Sequence, residues 1–137
     1  MNMQTVNTNS SEKTLRLSKV GLKLFFVLSE KWNLTQDHQL VLLGQSSRST
    51  LKNWKDKIDS NADINLKPDT IERLSLIAGI RKGVEILYPE NRWDDYMHQP
   101  NSAFDGDSLL EIMLAGSVGA LYDARRYLDA NRGAHFG

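Results

Sequence analysis

The side chains with the clearest chemistry in this sequence are those of Arg48, Ser49, Lys52 and Asn53. Guanidinium, hydroxyl, ammonium and amide groups bond the phosphate oxygens and base edges of nucleic acids. A spacing of i, i+1, i+4 and i+5 puts all four side chains on one face of an α-helix. Such a face is often no more than a solvated surface, so its meaning depends on the elements that position it.

Those elements read as two short helices joined by a tight turn at Gly44. Before the turn, Leu40 and Leu43 lie three residues apart, the spacing of neighbours on one side of a helix. Gly44 can adopt the positive φ of a helix C-cap, and polar residues 45–47 follow it. After the turn, an apolar stripe lies opposite the four polar side chains: Leu51, Trp54 and Ile58. The pattern predicts a helix-turn-helix whose second helix enters the major groove of DNA, with a plain helical hairpin as the alternative.

The chain has 137 residues, of which 40% are hydrophobic. This is enough for one domain, or for two small helical subdomains that share a core. Cysteine is absent, which excludes a disulfide framework and a thiolate metal site and suits a reducing cytoplasm. No apolar run approaches the roughly 20 residues of a membrane span, and the N-terminus lacks a signal-peptide pattern. We therefore expect a cytoplasmic protein.

The formal net charge is zero, but the charge is unevenly distributed. Residues 1–67 contain ten Lys and Arg against six Asp and Glu, whereas residues 68–137 contain seven against eleven. A basic half that holds the predicted groove-binding helix, and an acidic half beyond it, suggest two partners of different charge. An imbalance of this size also arises by chance, so it is supporting evidence only.

Hydrophobic periodicity predicts an all-α fold, since no segment has the alternation of a strand. Residues 1–13 are polar and rich in Asn, Ser and Thr, which predicts a flexible arm. Residues 14–67 form the predicted DNA-binding domain, and residues 68–137 form a second helical domain. The first helix, from Thr14 to Trp32, is expected to cover the back of the helix-turn-helix with a broad apolar face: Leu17, Val20, Leu24 and Leu28, widened by Phe25, Val27 and Trp32.

The run from Pro68 to Tyr88 is apolar on most of its sides, which predicts a helix buried at the centre of the fold or in a homodimer interface. Gly79 and Gly83 lie one turn apart within it, and each lowers helix stability by about 1 kcal/mol relative to Ala. Such a pair is tolerated where another backbone packs closely. Two unrelated glycines in a stable helix are the alternative.

Beyond this helix the sequence alternates short elements and turns. Residues 99–107 read as a loop, and Ser108 with Glu111 makes a capping box that begins a short helix. A last amphipathic helix is predicted to end near Asn131. Residues 132–137 then form a tail without a partner in its own helix.

Chemistry of other kinds is not indicated. His38, His98 and His135 are far apart, and none has a helical i, i+4 partner that would suggest a metal site. There is no Gly-rich phosphate loop and no nucleophile elbow. We expect no metal, no cofactor and no enzymatic activity.

The C-terminal half contains an ordered set of loop and helix-end residues. They are Trp93, Pro100-Asn101, Phe104, Gly106, Leu109-Leu110, Gly116, Tyr127-Leu128-Asp129-Ala130 and Arg132-Gly133. Together with the apolar run from Ile71 to Pro89, they make residues 14–137 resemble the Xre/MbcA/ParS antitoxins. In that family proline often precedes the Leu-Leu pair. This chain has Asp107-Ser108 there, so its short helix is expected to be capped differently.

The resemblance implies an Xre-like helix-turn-helix half and a toxin-binding C-terminal half, which agrees with the uneven charge. The implied partner is a RES-domain toxin, an enzyme that degrades NAD. Antitoxins of this kind resemble one another in blocking the NAD pocket of the toxin with their C-terminal end. They also repress their own operon through the helix-turn-helix, so operator DNA is a second expected partner.

On this basis the DNA contacts are assigned to Arg48, Ser49, Lys52 and Asn53. The toxin contacts are assigned to the following residues: Trp93, Asn101, Tyr127, Arg132, Gly133, His135 and Phe136. Without the resemblance, residues 132–137 would be interpreted as a frayed end. Two other functions stay open: a stand-alone repressor whose C-terminal half only dimerises, and a protein-interaction module that no longer contacts DNA. The neutral net charge and Asp56, beside the groove-facing residues, keep the second of these open.

Overall fold

The computed structural model describes the backbone of residues 2–136 and the side chains of residues 12–132. In chain order the α-helices are α1 (Asn2–Lys31), α2 (Gln36–Leu43), α3 (Arg48–Asp59), α4 (Pro68–Leu87), α5 (Trp93–Tyr96), α6 (Leu109–Met113) and α7 (Val118–Phe136). Short 3-10 turns occupy Glu90–Arg92 and Ser102–Phe104. Residues 2–136 contain no strand, so the predicted all-α fold is confirmed. No helix in this range is long and apolar enough to cross a bilayer.

The first helix buries only part of the face predicted for it. A flexible arm was expected at residues 1–13, but the backbone of residues 2–13 belongs to α1; only residues 12 and 13 of this segment have described side chains. The buried face of α1 is formed by Ser18, Leu22, Phe25, Leu28 and Ser29, and Trp32, just after the helix, is buried as well. Of the residues predicted for this face, Phe25, Leu28 and Trp32 are buried, while the others are exposed: Leu17, Val20, Leu24 and Val27. The prediction was wrong for the exposed residues because α1 has apolar residues on two faces, and periodicity alone does not tell which face meets the core.

Helix α4 lies at the centre of the fold, as predicted. It begins with Pro68, whose missing N–H is not needed at the first helical position, and it ends before Pro89. Its buried apolar side chains are Leu74, Leu76, Ile77, Ile80 and Val84. Because α4 packs against α1, α2 and α7, the two halves of the chain share one hydrophobic core.

Gly79 and Gly83 both face side chains of α7. A Cβ built on Gly79 would overlap the guanidinium of Arg125, and one on Gly83 would lie 3.1 Å from the Cβ of Leu128. Gly83 is therefore explained by close packing within the chain, whereas the guanidinium near Gly79 is the movable end of a side chain and does not by itself require glycine.

Candidate nucleic-acid and partner interfaces

Local hydrogen bonds fix α2, the first helix of the helix-turn-helix. At its start, Thr35 Oγ1 accepts from the His38 N–H at 3.1 Å, and His38 Nδ1 accepts from the Thr35 N–H at 3.2 Å. This reciprocal pair is a capping box. At its end, Gly44 adopts a φ of 64°, and the N–H groups of Gly44 and the next residue donate to the carbonyls of Val41 and Leu40. These bonds form a Schellman motif, which confirms the turn predicted at Gly44.

Helix α3 is held in place by its apolar stripe. Leu51 and Trp54 are 1% and 8% exposed, and Ile58 is half-buried. On the flank of α3, Lys55 Nζ lies 5.0 Å from the centroid of the Phe26 ring on α1, a cation–π contact. The side of α3 away from the core is therefore presented outward on a fixed helix.

The outward side of α3 carries the predicted groove residues, and all of them are exposed. We call this surface the α3 face, defined by Arg48, Ser49, Lys52 and Asn53. Two of its cations have carboxylate partners. Arg48 Nη2 lies 3.0 Å from Asp37 Oδ1, and Lys52 Nζ lies 3.2 Å from Asp56 Oδ2. The structure thus brings the predicted residues together, with two acidic groups beside them.

Arg73, which sequence reasoning missed, joins the helix-turn-helix to the C-terminal half. Its side chain is buried, and Nε lies 3.0 Å from Asp69 Oδ2. Nη1 donates to the carbonyl of Gly116 at 3.0 Å and lies 3.3 and 3.4 Å from the carbonyls of Val41 and Leu42. The guanidinium thereby places a positive charge at the C-terminal end of α2, where the helix dipole favours it. The sequence feature that could have indicated this role is an arginine within a helix that is apolar on most of its sides.

Replacing Arg73 by methionine should lower the free energy of unfolding by about 2–4 kcal/mol, because it removes a charged donor to several carbonyls. Arg73→Lys should recover only part of the loss, since an ammonium lacks the planar fork that reaches several acceptors. Urea unfolding of the whole chain measures the effect. Arg126→Met, at an exposed arginine on α7, is the matched control and should change stability by about 0.5 kcal/mol at most. An unchanged urea midpoint for Arg73→Met would contradict this role.

Asn101 organises the loop of residues 99–107 and contacts α7. Its Oδ1 accepts from the Ala103 N–H at 2.9 Å, and its Nδ2 donates to the Tyr127 hydroxyl at 3.1 Å. The ring of Phe104 packs on that of Tyr127 with centroids 4.6 Å apart. Two of the predicted toxin contacts, Asn101 and Tyr127, therefore lie together, and both are half-buried.

Ser108 begins α6 where proline often stands in the antitoxins that this chain resembles. Ser108 Oγ accepts from the Glu111 N–H at 3.1 Å, and Glu111 Oε1 accepts from the Ser108 N–H at 3.2 Å. The predicted capping box is confirmed, and it satisfies two N–H groups that a helix start leaves without intrahelical partners.

Trp93 is tied to α4 and to the turn before α5. Its Nε1 donates to the Tyr88 carbonyl at 2.9 Å, and its ring centroid lies 4.9 Å from Cζ of Arg81. Arg81 is itself buried, and its Nη1 lies 2.6 Å from Asp94 Oδ1. Burial raises the pKa of nearby Tyr96 above its ordinary value, so this phenol stays neutral. Trp93 is half-buried: part of its indole packs within the chain, and the rest is exposed to solvent.

In the predicted tail only the first residue has a described side chain, while the backbone of residues 132–136 continues α7. Arg132 is exposed and lies within α7, so that helix does not end near Asn131 as expected. The last buried apolar side chain described in α7 is that of Leu128. The predicted contacts of Gly133, His135 and Phe136 lie outside the residues whose side chains are described.

Comparison with known proteins agrees with this arrangement. The family model for the antitoxin Xre-like helix-turn-helix domain matches residues 11–79, which include the helix-turn-helix and the first part of α4. Over 113 residues the chain is 45% identical to the uncharacterized protein y4oB of Sinorhizobium fredii (strain NBRC 101917 / NGR234). That alignment covers 82% of this chain and 84% of the relative. The chain therefore belongs to the family of antitoxins with an Xre-like helix-turn-helix domain.

Proposed function

We propose that this antitoxin acts in the cytoplasm on two partners, a RES-domain toxin that degrades NAD and the operator DNA of its own operon. The family supports an antitoxin and DNA-binding regulator in general. The observation that carries the DNA part is the exposed α3 face on a fixed second helix of a helix-turn-helix. The RES toxin is proposed from the resemblance of residues 14–137 to the Xre/MbcA/ParS antitoxins.

The two cations of the α3 face can exchange their carboxylate partners for DNA phosphates. Exposed ion pairs such as Arg48–Asp37 and Lys52–Asp56 contribute only about 0–1 kcal/mol each, so breaking them costs little. The freed cations would neutralise phosphates and release counterions from the duplex. Asn53 can pair with an adenine edge through two hydrogen bonds, so it is the proposed base-reading residue of this face.

If carboxylates compete with phosphate on this surface, removing them should strengthen operator binding. Asp37→Asn and Asp56→Asn should each raise affinity about three- to tenfold at low salt, and the gain should shrink as salt rises. Fluorescence anisotropy with a promoter fragment measures both quantities. Asp123→Asn, an exposed carboxylate paired with Arg126 on α7, is the control and should bind like the wild type. If Asp37→Asn and Asp56→Asn both bind the promoter at low salt with the affinity of the wild type, carboxylates do not compete with phosphate on this surface.

The C-terminal half offers the residue types that usually dominate protein interfaces. Tryptophan, tyrosine and arginine carry most interface energy, and Trp93, Tyr127 and Arg132 are at least partly exposed here. The hydrogen bond from Asn101 fixes Tyr127 before any partner binds, which lowers the entropy lost on association. In the proposed complex the end of α7 lies in or over the NAD site of the toxin, where Arg132 can pair with phosphate-binding or acidic groups.

One observation favours a second candidate function, a protein-interaction module without DNA binding. Asp37 and Asp56 balance the charges of Arg48 and Lys52, so the α3 face and its ion-pair partners together carry no net charge. Such a surface attracts a polyanion less strongly than an unpaired basic patch would.

Co-expression of the tagged chain with its neighbouring reading frame distinguishes these functions. The proposal expects a RES-domain protein to co-purify, and it expects the purified chain to retard a fragment of its own promoter in a gel. Retardation without any co-purifying toxin would support a stand-alone repressor instead. Co-purification without retardation, by the chain or by the complex, would support the interaction module.

A further inference from the structure

A buried cluster of charges joins α4 to α5. Arg81 is buried on α4, and its Nε lies 3.0 Å from Glu85 Oε2, one turn further along the same helix. Its Nη1 lies 2.6 Å from Asp94 Oδ1 on α5. Both carboxylates are half-buried. One guanidinium group therefore holds two acidic side chains, one from each helix.

Such a cluster contributes little to the stability of a fold. Removing charges from water is costly, and the attraction between them offsets this cost only where the geometry is good, so well-packed apolar side chains often serve a fold equally well. Helix α4 already places apolar side chains in the core before and after Arg81, among them Ile80 and Val84. The cluster is therefore better explained by what it orients than by what it stabilises.

The side chain that the cluster orients is that of Trp93. Cζ of Arg81 lies 4.9 Å from the centroid of the indole ring, a cation–π contact with one of its faces. Trp93 Nε1 donates to the Tyr88 carbonyl at 2.9 Å, which fixes the ring at its nitrogen. Asp94, the next residue of α5, is held by its ion pair with Arg81. The indole is thus restrained at one face, at its N–H group and through its neighbour, while part of it is exposed to solvent.

We propose that Arg81 is a positioning residue for toxin binding, which holds Trp93 in the orientation that an apolar recess of the toxin receives. The inference rests on the proposed function, because Trp93 is one of the proposed toxin contacts. Large aromatic anchors carry most of the energy of an interface, and they fill well-packed pockets of the partner. An anchor that is ordered before association loses less conformational entropy when the complex forms. Arg81 itself is buried, so it acts through Trp93 and not by contact with the toxin.

The indole N–H resonances of the free chain in an NMR spectrum test whether Arg81 restrains Trp93. The chain has three tryptophans, and a spectrum of Trp93→Phe identifies the resonance of Trp93. In Arg81→Met this resonance should shift and its heteronuclear Overhauser effect should fall, because the ring gains motion. The resonances of Trp32 and Trp54, which are 0% and 8% exposed, should stay in place. Arg81→Lys should give an intermediate change, since an ammonium keeps the charge but lacks the planar fork.

Arg73→Met is the matched control for the resonance. Arg73 is also a buried arginine of α4, but it contacts α2 and the turn before α7. This variant should lower the stability of the fold and leave the Trp93 resonance unchanged. The same shift in both variants would show that loosening of α4, and not the loss of Arg81, frees the indole, and it would overturn the proposal.

Titration calorimetry with the purified RES-domain protein encoded beside the chain tests the binding part. We expect Arg81→Met to weaken the complex by about three- to tenfold, and Trp93→Ala to weaken it by more. Because Arg81 acts through Trp93, adding Arg81→Met to Trp93→Ala should cause no further loss. An equal loss in both backgrounds, or a folded Arg81→Met variant with wild-type affinity, would overturn the proposal and leave the proposed function intact. A wild-type chain that does not bind the RES-domain protein would refute the proposed function and this role with it.

Discussion

Removing residues 132–137 should abolish neutralisation of the toxin while leaving the fold and DNA binding unchanged. Arg132 is exposed, and the last buried apolar side chain described in α7 is Leu128, so the described core keeps all of its contacts. The removed segment includes Arg132, His135 and Phe136, which we propose to lie in or over the NAD site. Loss of one interface anchor typically costs about 2–4 kcal/mol. We therefore expect inhibition of the toxin to weaken by at least about 100-fold.

The truncated protein should be compared with two single variants in an assay of NAD consumption by purified toxin. Arg132→Ala should reproduce part of the loss, whereas Arg126→Ala, at another exposed arginine of α7, should inhibit like the wild type. Thermal unfolding and promoter binding serve as controls for the fold. If the truncated chain inhibits the toxin as strongly as the whole chain, its end does not cover the active site.

Replacing Arg48 and Lys52 together by alanine should weaken binding to the promoter by about 100-fold at low salt. Each cation is expected to neutralise one phosphate, and a contact of this kind contributes about 1–3 kcal/mol. The dependence of affinity on salt should become shallower, because two fewer counterions are released on binding. Both side chains are exposed on a helix held by Leu51 and Trp54, so the variant should fold normally.

The matched control for the double variant removes cations elsewhere on the surface. Lys82 on α4 and Arg126 on α7 are exposed and lie outside the α3 face, so replacing both by alanine should change affinity by less than about threefold. A double variant of Arg48 and Lys52 that retards the promoter at the wild-type concentration would show that α3 does not enter the groove. The protein-interaction module would then be the better interpretation.

Features that depend on near neighbours in the chain were predictable. The turn at Gly44 and the capping box of Ser108 and Glu111 use backbone groups only a few residues away, so short sequence patterns specify them. The central place of α4 was also predictable, because a helix that is apolar on most sides must be buried. The clustering of Arg48 and Lys52 follows from helical spacing alone.

Features that depend on distant contacts were not predictable. Arg73 meets carbonyls of residues 41, 42 and 116, and no spacing rule connects these positions. The hydrogen bond between Asn101 and Tyr127 joins residues 26 positions apart, so only the fold shows that these two predicted contacts are neighbours. For α1, two apolar faces competed for the core, and the stripe of Leu17 and Val20 faced outward. The choice depends on how α1 packs against α4, which local sequence does not encode.

The most direct test is a titration of the whole chain into the purified RES-domain protein encoded beside it, with NAD consumption followed over time. If the chain is an antitoxin that covers the NAD site, consumption should stop at a fixed stoichiometric ratio of the two proteins. Excess NAD should slow the onset of inhibition, because substrate and antitoxin compete for one site. Consumption at an unchanged rate, with the chain in excess and no complex detected by sedimentation, would contradict toxin neutralisation.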